Sequence, residues 1–164
     1  MSDLQLCATG VRLFRQAVRA IGPAMNEMLS GTKAELQIAT YLLLDAGGDL
    51  LEAIESVVSR GIKTMIVVNR LEDHPLIIRE WAVRMNRSYL HFEARSYGGD
   101  APGQLHAKVV VCDRSHAILG SANLTTSAMN RNVEIGALVA GDTAWALASL
   151  VDEIAKVAHP FGVG

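Results

Sequence analysis

The apolar residues of the chain change their period several times, which predicts an alternation of helices and strands. The first period is helical and runs from Val11 to Met28, with an expected break or kink at Gly22-Pro23. Its apolar positions are Val11, Phe14, Val18 and Ile21, and beside them lie Arg12, Arg15 and Arg19. Such an arginine stripe is typical of a solvated helix flank, and it would also suit contact with a polyanion.

The next part of the chain predicts a βαβαβ unit. Residues 34–44 and 62–69 are rich in apolar residues, and each predicts a strand that is buried on both faces. Between them Asp49 and Glu52 fit a capping box, which predicts a helix that ends at Gly61.

A second helix over 75–87 and an alternating strand over 89–95 complete this unit. The residues expected in the core are Ile78, Trp81, Ala82 and Met85 of the helix and Leu90, Phe92 and Ala94 of the strand.

The second half of the chain follows a loop that contains Gly98, Gly99, Pro102 and Gly103. Strands are expected over 105–112, 117–121 and 132–139, and the turn 113–116 joins the first two. Asp142 is expected to cap a final helix whose core face includes Leu147, Val151 and Ile154.

The whole pattern predicts an α/β fold in which helices flank both faces of a mixed, mostly parallel sheet. We expect a single domain over 1–164, with an N-terminal helical segment over 1–33 and a core over 34–158 that holds the site.

Composition narrows the class of protein. Half of the 164 residues are apolar and the net charge is −2, which argues against a disordered chain and against nucleic-acid binding by bulk positive charge. Two cysteines, Cys7 and Cys112, are too few for a disulfide framework. Without a signal-peptide core or an apolar run of membrane-spanning length, the sequence predicts a soluble, cytoplasmic protein that does not act at a membrane.

Polar side chains interrupt the strands of the second half. His106 and Lys108 lie two positions apart, so the period of a strand places them on one face. An ammonium group beside an imidazole is costly to bury without a partner, so the pair indicates either an anion site or an edge strand that faces water. Ser121 and Asn123 share a face in the same way, and Glu134 follows near the start of the next strand.

Together these residues resemble the signature of the phospholipase D superfamily, the HKD phosphodiesterases. The pattern is His106-x-Lys108 with Asp113, then Gly120-Ser121-x-Asn123, then Asn132-x-Glu134. The segment IATYLL is similar to the first core strand of that superfamily, and the resemblance spans about residues 35–154. It implies the fold of the phospholipase D-like nucleases.

The resemblance also implies roles for these residues. His106 matches the nucleophile that attacks a phosphodiester and becomes a phosphohistidine. Lys108, Asn123 and Ser121 would hold the phosphate oxygens in place of a metal ion, so no metal or other cofactor is expected. Glu134 matches the carboxylate that accepts a hydrogen bond from the His106 ring and fixes its tautomer. Asp113 belongs to the motif, but its place at the start of a turn favours a structural role.

A second histidine is needed to protonate the leaving oxygen, and the chain has only one such motif. We expect the other four histidines, His74, His91, His116 and His159, to be surface or structural residues. Cys112 with His106 or His116 could bind a metal, although Cys112 more simply packs as a small apolar strand residue. The mechanism therefore predicts a homodimer with a shared active site around two copies of His106, as is typical of short single-motif members of the superfamily.

The motif leaves the substrate open. The first hypothesis is an endonuclease acting on DNA or RNA, because the chain has the size of stand-alone bacterial endonucleases of this superfamily and carries arginines around the motif. These are Arg70, Arg79, Arg84, Arg87, Arg95, Arg114 and Arg131. The alternatives are a phospholipase or phosphatidyl transferase and a non-catalytic nucleic-acid-binding module. Single-motif relatives also occur in anti-phage defence, and a nuclease in the cytoplasm would need restraint, for example by a regulatory protein partner.

Overall fold

The computed structural model describes residues 4–10, 18–44 and 48–162, and the bounds of its elements follow. The strands are β1 Leu4–Thr9, β2 Arg19–Ala20, β3 Glu35–Thr40, β4 Leu43–Leu44, β5 Lys63–Asn69, β6 Phe92–Tyr97, β7 Lys108–Cys112, β8 His116–Gly120, β9 Leu124–Thr125, β10 Glu134–Ala140 and β11 His159–Pro160. The helices are α1 Ile21–Gly31, α2 Asp49–Ser59, α3 Leu76–Ser88, α4 Thr126–Asn130 and α5 Asp142–Val157, and a 3-10 turn covers Leu71–Asp73.

Nine of the described strands form one mixed sheet in the order β11-β6-β5-β3-β7-β8-β10-β1-β2. Strands β3, β5 and β6 run parallel to one another and are joined through α2 and α3, as in the predicted βαβαβ unit. From β3 through β7, β8 and β10 to β1, each strand is antiparallel to its neighbour. The remaining strands, β4 and β9, pair with each other as a small parallel sheet.

Both faces of the large sheet are covered by helices, as predicted. Val110 and Cys112 of β7 belong to the main apolar core, which also contains residues of α1, α2 and α3. Val111, their neighbour on the opposite face, packs with Ala144 and Ala148 of α5. This alternation explains why the central strands read as continuous apolar runs. The α/β fold class, with helices flanking a mixed sheet, is therefore confirmed, although five of the eight strand pairings described in this sheet are antiparallel.

The N-terminal segment differs from the prediction. Residues 4–9 form β1, which pairs antiparallel with β10, and α1 begins only at Ile21. Gly22-Pro23 lies in the first turn of α1, where proline costs no helical hydrogen bond, so it does not break the helix. Arg19 belongs to β2 rather than to a helix, while Val11, Arg12, Phe14 and Arg15 lie outside the described residues.

Three local predictions are also wrong. Leu90 is fully exposed, because the amide of Phe92 donates to the Tyr89 carbonyl and the strand begins only after this turn. Asp49 and Asp142 are first residues of their helices rather than caps, and the preceding N-cap residue is in each case a glycine. Both carboxylates still lie in the first helical turn, where the positive end of the helix dipole stabilises their negative charge.

Candidate active site

The motif residues other than Asp113 lie at one edge of the large sheet. Parallel strands β3, β5 and β6 end at this edge, and Lys108 at the start of antiparallel β7 lies opposite Thr40, the last residue of β3. On the other side of β7, Gly120 ends β8 beside Gly136 of β10. The carboxyl ends of parallel strands are where α/β sheets commonly bind their ligands.

His106 lies just before β7, so the strand predicted to begin at 105 begins at Lys108 instead. The preceding residue is held by a side chain, since the Leu105 amide donates to Asn69 Oδ1 at 3.0 Å. The His106 side chain is exposed, and its ring lies against that of Tyr41 with centroids 4.8 Å apart. Lys108 Nζ is 3.4 Å from both His106 ring nitrogens and donates to the His106 carbonyl at 3.0 Å.

Lys108 is a partly buried cation. Its ammonium lies 5.6 Å from the centre of the Tyr41 ring. Burial lowers the pKa of Lys108, and the nearby Glu134 carboxylate opposes this by raising it. A cation that has lost part of its hydration and lies against an imidazole is suited to bind an anion there.

Glu134 is tied to neighbours other than His106. Its carboxylate accepts hydrogen bonds from Ser121 Oγ and from Asn132 Nδ2, the latter at 3.1 Å. Ser121 Oγ also accepts from the Ile135 amide at 3.2 Å, which fixes the hydroxyl between β8 and β10. Within the described residues the expected hydrogen bond from the His106 ring to Glu134 is not formed, and the carboxylate binds these other donors instead.

The Gly-Ser-x-Asn segment needs its glycine for space. A Cβ on Gly120 would lie 2.6 Å from Gly136 Cα and would also meet the Ile135 carbonyl. Three residues further on, the backbone carbonyl of Asn123 accepts from the Thr125 amide at 2.8 Å. Asn123 Oδ1 is buried and makes no hydrogen bond to any described residue, which leaves this oxygen without a partner in the described part of the chain.

Asp113 lies at the opposite end of β7 from His106, about 20 Å away at the rise of a strand. Its carboxylate accepts hydrogen bonds from the backbone amides of Lys33, Ala34 and Glu35 at 2.7 to 3.2 Å. Burial raises the pKa of Asp113, but these amides outweigh it, and the pKa lies below its ordinary value. Asp113 therefore fastens the β7–β8 turn to the start of β3.

The other four histidines have environments that differ from that of His106. His74 is buried, and His91 Nε2 lies 2.8 Å from the Val58 carbonyl oxygen. His116 and His159 are exposed. Cys112 is buried, and burial raises the pKa of its thiol to about 11. Within residues 4–10, 18–44 and 48–162, no group of three histidine, cysteine or acidic side chains is placed to hold a metal ion.

Asn132 belongs to the sequence motif and Tyr41 does not, and the contacts of both with motif residues are found only in the structure. Tyr41 stands within an apolar run, but its position at the end of β3 could have indicated that it lies beside the start of β7. The arginines around the motif are less available to bind a nucleic-acid backbone than expected. Four of them form ion pairs within the chain, namely Arg70, Arg84, Arg95 and Arg114. None of the described helices is long and apolar enough to cross a membrane.

The chain is similar to known proteins in sequence. A family described as "Cardiolipin synthase, PLD-like domain" matches residues 25–157. The DISARM protein DrmC of Bacillus paralicheniformis is 25% identical over 156 residues, which cover 94% of this chain and 64% of DrmC. Cardiolipin synthase A of Buchnera aphidicola is 28% identical over 134 residues, which cover 82% of this chain and 26% of the synthase. The chain thus spans less than two thirds of the length of these curated relatives.

Two solved structures share the fold over their whole length. Nuc from Salmonella typhimurium, a phospholipase D family member, superposes with a TM-score of 0.77 at 14% identity, covering 99% of this chain and 100% of Nuc. NucT from Helicobacter pylori has a TM-score of 0.76 at 22% identity, covering 98% of this chain and 100% of NucT.

Proposed function

The chain belongs to the phospholipase D superfamily, and on that premise we propose that it is a metal-independent phosphodiesterase that cleaves the phosphodiester bonds of DNA or RNA. The observation that carries the proposal is the exposed His106 imidazole with the Lys108 ammonium 3.4 Å from it. A nucleophile and a cation for the phosphate oxygens are thereby side by side.

The proposed reaction has two displacements. In the first, a nitrogen of His106 forms a bond to phosphorus, the bond to the leaving oxygen breaks, and that oxygen takes a proton from a second histidine. In the second, the same histidine removes a proton from water, whose oxygen displaces His106 from phosphorus. Lys108, with Ser121 and the Asn123 amide, would stabilise the charge on the phosphate oxygens in both steps. Glu134 would act through Lys108 and Ser121.

The second histidine in this proposal is His106 of another copy of the chain. One surface next to the site supports such a dimer. Leu4 and Leu6 of β1 are 63% and 62% exposed, and Ile135 of β10, whose carbonyl accepts from the Ser121 amide, is 58% exposed. An apolar strand surface that continues to the site would place two copies of the site together if it were covered by a second copy.

We favour nucleic acid over lipid as the substrate because the chain has the size expected of a stand-alone endonuclease of the superfamily and is much shorter than a cardiolipin synthase. The chain covers Nuc and NucT completely, whereas it covers 26% of Cardiolipin synthase A. A role in anti-phage defence is part of the proposal, and DrmC, the DISARM protein, aligns with 94% of the chain. The family description supports the second candidate function, a phospholipase or phosphatidyl transferase that would use the same residues.

The test is a hydrolysis assay in EDTA with wild type, His106→Ala and His116→Ala. His116 is an exposed histidine at the far end of β8 and serves as the matched control. We expect wild type and His116→Ala to cleave labelled single- or double-stranded DNA or RNA, and His106→Ala to be inactive. Release of a headgroup from phosphatidylglycerol vesicles without cleavage of nucleic acid would establish the lipid function instead. Cleavage that needs added magnesium would contradict the metal-independent mechanism.

A further inference from the structure

The small sheet of β4 and β9 links two arms of the candidate site. Leu43 lies opposite Leu124 in this parallel ladder, and both side chains are buried. Leu43 follows Tyr41 by two residues, and Leu124 directly follows Asn123. The ladder therefore joins the segment that touches His106 to the segment that carries the motif asparagine. Strands of two residues are too short to be stable alone, so the position of β4 depends on other contacts.

His74 makes the contact that holds β4 from behind. It is only 7% exposed, and it lies after the 3-10 turn at the end of β5. The Leu43 amide donates to His74 Nε2 at 3.3 Å, while His74 Nδ1 lies 3.1 Å from the Arg70 carbonyl oxygen. Only the neutral ring with its proton on Nδ1 satisfies both contacts, because one nitrogen must accept and the other must donate.

From Leu43 the connection to His106 is short. Thr40 Oγ1 donates to the Leu42 carbonyl at 3.0 Å, which shapes the turn between β3 and β4. Within that turn the Tyr41 amide donates to the Ala107 carbonyl at 3.0 Å, and the Tyr41 ring packs on the His106 ring. A displacement of Leu43 would therefore move the aromatic ring against which the imidazole rests.

We infer that His74 is a positioning residue for His106: by binding the Leu43 amide it fixes Tyr41, and through Tyr41 the orientation of the His106 imidazole. Its catalytic consequence rests on the proposed function, whereas the positional link does not. The two nitrogens of His74 have separable tasks, since Nε2 holds the Tyr41 segment and Nδ1 holds Arg70, whose backbone is left-handed with φ 44°.

Two substitutions separate these tasks. In His74→Gln the side-chain amide reaches the position of Nε2, where its oxygen accepts from the Leu43 amide. In His74→Asn the shorter amide reaches only the position of Nδ1, where its NH2 group donates to the Arg70 carbonyl. Both replace a buried imidazole by an amide, so both should lower the thermal stability by a similar amount, while only His74→Gln keeps the contact to Leu43.

The experiment measures the nuclear Overhauser effects between the Tyr41 and His106 rings, together with kcat and KM for one oligonucleotide in EDTA. We expect His74→Gln to keep the ring contacts and a kcat within about threefold of wild type. His74→Asn should lose the contacts and at least about tenfold in kcat with little change in KM, because a small misplacement of a reacting group is costly. Equal ring contacts in both variants, or equal losses of kcat, would overturn the inference.

Tyr41→Leu keeps the test decisive if His74→Asn does not fold. This variant removes the ring but leaves the contacts of His74, so its kcat should fall as in His74→Asn, and an unchanged kcat would overturn the inference. Failure of the proposed function gives a different result. If wild type hydrolyses no phosphodiester, that function is rejected, while the ring contacts in His74→Gln and His74→Asn still decide whether His74 positions His106.

Discussion

At the scale of single residues, the balance around Lys108 decides how firmly the candidate site holds its positive charge. Burial lowers the pKa of Lys108, and the Glu134 carboxylate partly restores it. Glu134→Gln removes a negative charge but keeps the size of the side chain and an oxygen acceptor. Since a nearby opposite charge favours the charged form, the pKa of Lys108 should fall further in this variant.

Titration of the Lys108 side chain by NMR checks this prediction. Glu153→Gln is the matched control, because Glu153 pairs with Lys156 on α5. We expect the titration of Lys108 to move to lower pH in Glu134→Gln and to stay in place in Glu153→Gln. If it stays in place in both, Glu134 does not act on Lys108.

The chemistry of the site could be found from the sequence, but its contacts could not. His106 and Lys108 can be recognised in the sequence as polar residues in an apolar run, and in the structure their side chains are in contact. The partners of Glu134 depend on where Asn132 and Ser121 fall across a strand pair, and this register is set by packing over the whole sheet. Tyr41 and His74 carry no polar pattern that distinguishes them from core residues.

At the scale of elements, the pairing of β8 with β10 limits what can replace Gly120. Gly120→Ala would bring a methyl group against the backbone of Ile135 and Gly136, which cannot yield as a flexible side chain would. We expect a loss of about 1–3 kcal/mol in the free energy of unfolding, as in other overpacked sites. Urea denaturation measures it.

Gly31→Ala is the control for this substitution. Gly31 ends α1, and a Cβ there meets no atom within 4 Å, so the variant should be as stable as wild type or slightly more stable. Equal stability of Gly120→Ala and wild type would show that the two strands separate easily.

The turn between β7 and β8 is fastened to β3 through Asp113. Hydrogen bonds from three backbone amides hold the pKa of this carboxyl below its ordinary value despite burial. The folded-state pKa is thus lower than the unfolded one, so the carboxylate stabilises the fold at neutral pH. This stabilisation is lost as the pH falls through the folded-state pKa.

Asp113→Asn should therefore cost about 1–2 kcal/mol at pH 7, the range for a hydrogen-bonded charge that is partly open to solvent. The difference from wild type should begin to shrink below about pH 4, where the carboxyl of the unfolded chain takes up its proton, and should be smallest once the pH is below the lower folded-state pKa. Urea denaturation at several pH values measures this, with Asp100→Asn in an exposed loop as the control. A difference that does not depend on pH would assign the effect to packing.

The elements with a long, regular pattern could be predicted, and the short or irregular ones could not. Helix α3 buries the four residues expected of it. Strand β1 has an exposed half followed by a buried half, a pattern with neither a strand period nor a helical one. Strands β4 and β9 have two residues each, which is too few to show any period, although they join Tyr41 to Asn123.

At the scale of the whole molecule, the proposed dimer depends on the apolar surface of β1 and β10. Leu6→Lys places a charge on this surface. Because Leu6 is 62% exposed in the single chain, the substitution removes no core packing. We expect the variant to sediment as a monomer and to lose hydrolysis while its far-ultraviolet circular dichroism spectrum stays that of wild type; loss of the dimer should also lower its unfolding temperature. Leu90→Lys, at a fully exposed position in a turn, should change none of these. A dimeric Leu6→Lys would place the interface elsewhere.

The shared site can be tested directly in a dimer that has one intact nucleophile. Wild-type and His106→Ala chains with different tags are co-expressed, and the heterodimer is isolated by successive affinity steps. This heterodimer cannot complete the catalytic cycle, because its one intact His106 lacks the second imidazole that protonates the leaving oxygen and later activates water. Its steady-state rate should be at least about 100-fold below that of wild type, the contribution of a general acid and base.

A heterodimer of wild type with His116→Ala should be fully active, since His116 lies at the far end of β8. Half of the wild-type rate in the His106→Ala heterodimer would mean that each chain works alone, and the second proton donor would then have to be sought within the chain.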